Sequence, residues 1–560
     1  MTYLQFFLAT LLGLPAAIVL THTIIYFIDP YGIRQYPGPI LAKLTSAWLG
    51  WVAQQGHRSE VIHELHQKYG PFIRISPSEV SIADSGALGV VYAHANGTLK
   101  SSLYDEFVAI DSSLFSTRDR AQHARKRKMV SQAFSLKSVL EFESHIRLHI
   151  SGILEQWDRL YEGAVKGLSG SEGEGGWRGR DGRLWLNCLP WMSYLAFDII
   201  ADLALGTPFG MLASAHDAAP IPATPAALTD ITFANSDITH IPVIEVLNGR
   251  NEYATAMGVL PAWLRPLAAR LAWYRARARS TRELTSMAIL AVSRRLAAPT
   301  DRVDILSQLQ AGSDERGEPL SRRELTVEVQ SLILAGSDTT ANSITAIIYL
   351  LAANPAVQAR LQKELDEHLC IDDDPVATYE RVKHLSYLDA CINEGLRIFS
   401  TSGLGLPRVV SEGMNVHYSQ NLPFSMLIFD VPGGLAVCGR FFPAGSVVGV
   451  PSYTIHRDPD IWGNDPDVYR PERWFDTEKS AAMHKTFNPY SVGPRACIGR
   501  KLAGLELMLF AATLFRRYHF VLAEPEKPVH LDYLSIDFSK LTLELLDGNA
   551  RRLQPKAAPM

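Results

Sequence analysis

Residues 1–28 carry no Asp, Glu, Lys or Arg, and His22 is their one histidine. As a helix, residues 3–28 would be about 39 Å long at 1.5 Å per residue, enough to cross a bilayer core of about 30 Å. A cleaved signal peptide would need a basic start, a shorter apolar core and a small-residue cleavage site. This stretch has no basic start, is too long, and runs into Asp29-Pro30-Tyr31-Gly32. The expectation is an uncleaved N-terminal membrane anchor over residues 1–28. Arg34 and Lys43 follow the span, which puts the body of the protein on the cytosolic side. No other stretch is as long and charge-free, so a single transmembrane span is expected. Pro37-Gly38-Pro39 then acts as a stiff elbow in a proline-rich hinge over residues 29–45.

The remaining residues, 46–560, read as one body. Hydrophobic residues make up 47% of the chain and charged residues 20%, which excludes a disordered or fibrous polymer. The 54 basic and 58 acidic residues leave a formal charge of −4, so a nucleic-acid partner is not expected. The five cysteines, Cys188, Cys370, Cys391, Cys438 and Cys497, are widely spaced and form no CxxC. They suggest neither a disulfide framework nor a zinc site, but one could serve as a thiolate ligand.

Residues 59–69 read as an amphipathic helix. Residues 72–75 and 80–82, around Ser76-Pro77-Ser78, read as a hairpin. Helical periodicity dominates the next 300 residues. It is interrupted by the glycine-rich segment 166–183 and the proline-rich segment 218–225, both read as surface loops. After residue 404 short strands and turns take over, and a helix returns near Arg500. The fold class is mainly α with small β-sheets, an α+β domain.

The densest chemistry is Asn488-Pro489-Tyr490-Ser491-Val492-Gly493-Pro494-Arg495-Ala496-Cys497-Ile498-Gly499-Arg500. A cysteine stands between glycines just before an apolar helix. Free N–H groups and the positive end of that helix would stabilise a thiolate. Gly493 and Gly499 let the backbone approach a flat partner, and Arg495 offers a cation for a carboxylate of that partner. On these grounds alone an inert packing cysteine stays an open alternative.

This segment resembles the haem-binding signature of the cytochrome P450 family, aromatic-x-x-Gly-x-Arg-x-Cys-x-Gly, with Tyr490 where Phe is usual. The resemblance implies the family's haem-thiolate fold and haem b, iron protoporphyrin IX, as cofactor. Cys497 would be the axial iron ligand and Arg495 a haem-propionate contact. Ala335-Gly336-Ser337-Asp338-Thr339-Thr340 lies within an apolar helix spanning about residues 324–353. Glycine and hydroxyl residues mid-helix predict a local distortion. The motif resembles the family's oxygen-activation helix, which implies that Thr339 hydrogen-bonds dioxygen and Asp338 feeds the proton path.

Glu394-Gly395-Leu396-Arg397 sets opposite charges at i and i+3, and Tyr469-Arg470-Pro471-Glu472-Arg473-Trp474 follows some 75 residues later. Together they resemble the family's Glu-x-x-Arg helix and Pro-Glu-Arg loop. That likeness implies a buried structural triad of Glu394, Arg397 and Arg473. In the basic run 118–128, His123 and Arg127 stand at i and i+4 and resemble the family's propionate contacts. Arg408, in Gly405-Leu406-Pro407-Arg408, resembles another. Arg125, Lys126 and Lys128 point elsewhere and could meet an acidic redox partner. No flavin- or nicotinamide-binding stretch is left over, so electrons would come from a separate NADPH-cytochrome P450 reductase. The family setting implies an endoplasmic reticulum membrane location with the catalytic domain cytosolic.

A narrower likeness comes from Asn96-Gly97-Thr98-Leu99-Lys100-Ser101, Tyr104-Asp105-Glu106-Phe107-Val108, Tyr194-Leu195-Ala196-Phe197-Asp198-Ile199-Ile200, Pro208-Phe209-Gly210-Met211-Leu212, Glu245-Val246-Leu247-Asn248 and Pro451-Ser452-Tyr453-Thr454-Ile455-His456-Arg457. These resemble the fungal benzoate para-hydroxylases. The resemblance implies para-hydroxylation of benzoate or a related aromatic acid with O2. The alternative is another aromatic or polyketide-derived intermediate of fungal secondary metabolism. An oxygen-independent isomerase or dehydratase would not need Thr339, and a non-catalytic haem sensor would need no reductase face. Residues 414–431 depart from the family pattern and read as an extra loop or a retained intron.

Overall fold

The computed structural model describes residues 3–94, 98–223, 237–298, 301–369, 374–412, 433–523 and 542–547. The 414–431 insertion, Asn96, Gly97 and Cys370 lie outside them. Two packed helices carry the centre of the fold. One is Arg322–Ala353, the long helix, started by a capping box in which Ser321 and Glu324 satisfy each other's backbone N–H groups. It packs most extensively against Cys188–Leu205.

Cys188–Leu205 is apolar and long enough to cross a membrane, but 94% of it is buried inside the protein. Its two acids are satisfied there. Asp198 accepts N–H groups from Gly210, Met211 and Leu212 at 2.8–3.2 Å. Asp202 meets Arg302 at 2.9 Å and His149 at 3.3 Å. Burial against protein thus gives this helix its partners. The amino-terminal helix Tyr3–Ile28 differs: Ile18, Val19, Leu20, Phe27 and Ile28 are all exposed.

Several sequence expectations meet the structure directly. The helix Arg58–Tyr69 and the antiparallel pair Phe72–Arg74 with Glu79–Ile82 form as read. Two expected loops do not stay loops. Within 166–183, Ser169–Gly170 and Trp177–Arg180 are strands that join Arg183–Asn187, Thr542–Asp547 and Tyr518–Leu522 in one antiparallel sheet. The apolar anchor is Trp177, buried and bonded through its indole N–H to Glu172. Glycine richness marked the tight turns and hid the strands between them. Within 218–225, Ala219–Pro222 pairs with Ile238–Ile241. Its prolines are tolerated because this two-stranded ribbon is all edge.

The other five-stranded sheet sets up the site. Its order is Phe72–Arg74, Glu79–Ile82, Val447–Gly449, Arg408–Val410, Thr98–Lys100. Its outer pair puts Lys100 directly opposite Arg408. Two cations therefore enter one face from segments over 300 residues apart.

Candidate active site

A cavity of about 1500 Å3, including its mouth, opens between the long helix, the Cys497 loop and the sheet edge. Cys497, Arg495, His123, Arg127 and Thr339 all line it.

Cys497 stands three residues before the helix Arg500–Arg517. Its own N–H donates to Tyr490 O at 2.9 Å, which closes the loop. Its sulfur faces the cavity, so the residue counts as exposed, yet dense protein shields it from bulk water. Burial pushes the thiol up. N–H groups of Gly499 and Arg500 and the guanidiniums of Arg127 and Arg500 pull it down, and burial prevails. The helix terminus favours the thiolate but does not hold it alone. A bound metal cation would.

The two glycines of the loop have different reasons. Gly493 has φ +76°, and a Cβ there would stand 1.8 Å from Tyr92 O, so its requirement is backbone packing. A Cβ on Gly499 would meet only Cys497 Sγ, at 3.9 Å, which leaves that face open to a ligand.

The cations assemble above this loop. Arg127 donates to Ala496 O at 2.8 Å, and Arg495 to Thr117 O at 2.8 Å. His123 is buried, and burial together with Arg495, Lys100, Arg127 and Arg408 lowers it to about 3, so it is neutral. Arg408 donates from Nη1 to Tyr104 Oη at 3.2 Å and lies 5.0 Å over the Tyr92 ring. Its Nη2 is buried without a hydrogen-bond partner. A buried guanidinium with a free donor beside a large cavity calls for an anionic ligand group. A haem, with its two carboxylates, fits these residues.

On the facing wall the long helix runs unbroken past Ala335-Gly336, so the expected distortion does not interrupt it. Ser337 and Thr339 instead return their hydroxyls to the carbonyls of Ile333 and Ala335 at 2.7 and 2.6 Å. A Cβ on Gly336 would meet Ile200 at 3.0 Å, so this glycine also lets Cys188–Leu205 pack closely. Burial raises Asp338 to about 6, opposed by a 3.0 Å bond from Asn342.

Glu394, Arg397 and Arg473 come together, all buried. Glu394 accepts from Arg397 Nε and Nη2 at 2.9 and 2.8 Å and from Arg473 Nε at 2.7 Å. The N–H of Arg470 and the indole of Trp474 add bonds at 3.0 and 3.1 Å. The two guanidiniums also bind carbonyls of His456, Pro466, Trp462 and Val468. This ties the segment 456–474 to the helix Ser386–Ile398.

One expectation is corrected. Of the three basic residues proposed to face a redox partner, Lys126 is buried and paired with Glu328 at 2.8 Å. Arg125 pairs with Glu324. Lys128 alone of the three is well exposed, 3.7 Å from Glu315. Glu324 and Glu328, the partners of Arg125 and Lys126, lie about 200 residues away on the long helix, a pairing no local pattern announces.

Three charged lining residues were not picked out as site residues from sequence: Lys100, Glu328 and Glu506. Glu328 accepts the Leu114 N–H at 3.0 Å and so holds one wall in place. Only Glu506 carried a readable signal, an acid one turn-and-a-half inside an otherwise apolar helix face.

The cytochrome P450 family profile matches residues 37–423 and 431–544. Its only interruption, 424–430, falls inside the stretch read as an insertion. Benzoate 4-monooxygenase bphA of Aspergillus niger is 40% identical over 507 residues, covering 89% of this chain and 90% of the relative. Tryprostatin B 6-hydroxylase of Neosartorya fischeri is 27% identical over 517 residues, covering 92% and 81%. Cytochrome P450 monooxygenase tpeC of Talaromyces stipitatus is 28% identical over 506 residues, covering 89% and 85%. With this match spanning nearly the whole described body, the chain belongs to the cytochrome P450 family and is a monooxygenase.

Proposed function

We propose that this enzyme hydroxylates an aromatic carboxylic acid such as benzoate at the ring position para to the carboxyl group, using O2 and electrons from an NADPH-cytochrome P450 reductase. The observation that carries this reading is the 40% identity to a benzoate 4-monooxygenase along nine-tenths of both chains. The cavity supports it: apolar walls from Leu114, Phe115, Ile200, Leu332 and Leu406 suit a flat ring.

Haem b, held by Cys497 and by Arg408, Arg495, Arg127 and His123 at its carboxylates, would supply the oxygen-activating chemistry. The protein's part is to orient and to move protons. Thr339 presents its hydroxyl oxygen to the cavity while its hydrogen is bonded to Ala335 O. Asp338, raised to about 6, holds a proton it can release near neutral pH. Glu394, Arg397 and Arg473 have a structural task, fixing the segment beside the Cys497 loop.

The division is an anchor over 1–28, a hinge over 29–45 and a catalytic domain over 46–560. The apolar helix Tyr3–Ile28, with Ile18, Val19, Leu20, Phe27 and Ile28 exposed, supports a single-pass endoplasmic reticulum anchor with the domain cytosolic. Trp51, Trp263, Leu267 and Leu271, exposed on the body, suit a second contact with the bilayer surface.

A second reading, oxidation of another aromatic or polyketide-derived intermediate, is favoured by the relatives at 27–28% identity, one of them named for tryprostatin B. Incubating the reductase-reconstituted enzyme with benzoate and NADPH separates the two. 4-Hydroxybenzoate as product supports the first reading. Benzoate that neither binds nor reacts overturns it.

A further inference from the structure

The run from Trp263 to Arg282 holds six arginines and neither a lysine nor an acid, in a chain whose formal charge is −4. A helix face that merely meets water mixes both signs, so a one-sign run of this length asks for an anion. Its apolar residues point the same way. Trp263, Leu267 and Leu271 are 67%, 54% and 59% exposed, and they recur every fourth residue just ahead of the helix Ala272–Ala297.

From Leu271 the exposed positions continue as Arg275, Arg279 and Arg282. Steps of four, four and three residues keep them on one helix face, while Tyr274, Leu284 and Met287 are buried on the other. A single surface thus passes from apolar to cationic. Two arginines of the run are committed within the protein: Arg265 to Glu106, and Arg277 to Glu252 and the Trp273 ring. Arg279 meets Glu283 at 2.7 Å yet stays 74% exposed. Among the described residues no carboxylate pairs with Arg270, Arg275 or Arg282, and all three are exposed.

The dimensions suit a bilayer surface. Along the helix Arg275 is about 6 Å beyond Leu271 and Arg279 about 12 Å. A headgroup layer is about 5–8 Å deep, and its charge reaches about 8 Å further in physiological salt. With Trp263, Leu267 and Leu271 in the acyl boundary, the arginines fall at the depth of the phosphates and just above them. Arginine fits that task because its planar fork takes a phosphate through two hydrogen bonds at once. We propose that this face binds the headgroups of anionic phospholipids, so that the body responds to the charge of the membrane as well as to its apolar interior. This rests on the second bilayer contact proposed above and adds the class of lipid. Each arginine at the surface should favour contact roughly fivefold.

The test uses the full-length haem-loaded enzyme in nanodiscs of phosphatidylcholine, with or without phosphatidylserine. An arginine-selective dicarbonyl reagent labels accessible guanidiniums. Mass spectrometry reads each site against Arg180, which is 77% exposed on another element. Phosphatidylserine should slow labelling of Arg275 and Arg282 roughly fivefold or more relative to Arg180, and high salt should restore it. Equal labelling in the two kinds of disc overturns the proposal. Equal slowing by inorganic phosphate in neutral discs also overturns it, because the face would then take any small anion. Slowing that needs added reductase and not phosphatidylserine assigns the face to a protein partner instead. Brominated acyl chains separate this inference from the reading beneath it: they should quench the fluorescence that wild type has and Trp263→Phe lacks. Without that quenching the second bilayer contact fails and the inference with it. Quenching together with equal arginine labelling sinks the inference alone.

Discussion

The Thr340 hydroxyl donates to Glu506 at 3.2 Å, joining the long helix to the helix that follows Cys497. Glu506 is buried with that one bond to set against its desolvation, which raises it to about 8. In the unfolded chain the same carboxyl ionises near its ordinary 4.5. Between these values the folded state holds a proton that the unfolded state has lost, so stability falls as pH rises and levels off above about 8. Glu506→Gln has no such proton. Its stability relative to wild type should rise between pH 5 and pH 8, by on the order of a few kcal/mol at the upper end. Urea unfolding at both pH values measures this; a difference that does not change with pH would refute the buried acid.

Cys497→Ser should abolish the thiolate-type carbonyl spectrum and turnover together, because no other described cysteine lines the cavity. A mutant retaining both would overturn the ligand assignment.

Thr339→Ala should still bind haem and substrate but divert reducing equivalents to peroxide instead of product. Asp338 bears on the same step through pH. Because it can give up a proton only while protonated, and it is held near 6, product formed per O2 consumed should decline as pH rises through about 6. Asp338→Asn should lower coupling and remove that dependence. An unchanged pH profile in Asp338→Asn would assign the proton path to another group.

Replacing Glu394 by Gln leaves Arg397 and Arg473 buried beside a neutral amide. The cost should be about 3–5 kcal/mol, because a stranded buried charge is more expensive than an absent pair. Thermal unfolding and haem incorporation both report it, and a loss below about 1 kcal/mol would mean the segment 456–474 is held by other bonds.

Removing residues 1–28 should release much of the protein from membranes without loss of the carbonyl spectrum. Every residue lining the cavity lies beyond residue 99. Full retention on membranes after a high-salt wash would identify Trp51, Trp263, Leu267 and Leu271 as a sufficient second contact.

What was readable in the chain follows from the range of the interactions. The Cys497 loop, Arg495 and the pair Glu394 and Arg397 declare themselves within a dozen residues, so their motifs stand out. Lys126 looked like one more solvated cation in a basic run, because its partner Glu328 is 202 residues away. Lys100 and Arg408 gain their meaning only from strand register. Trp177 turned a glycine-rich stretch into sheet by packing against Gly163 and Gly170, which local composition cannot express. The helix terminus at Cys497 could be read from six residues, while the desolvation that opposes it depends on the whole surrounding shell.

The groups around the cavity run from Lys100 to Leu507 in a chain of 560 residues. During synthesis, nothing able to grip a haem exists until nearly nine-tenths of the chain has left the ribosome. The apolar helix Tyr3–Ile28 emerges first. Insertion of the proposed anchor would therefore precede cofactor loading, and the apolar walls of the hollow are synthesised well before the loop that would hold its ligand.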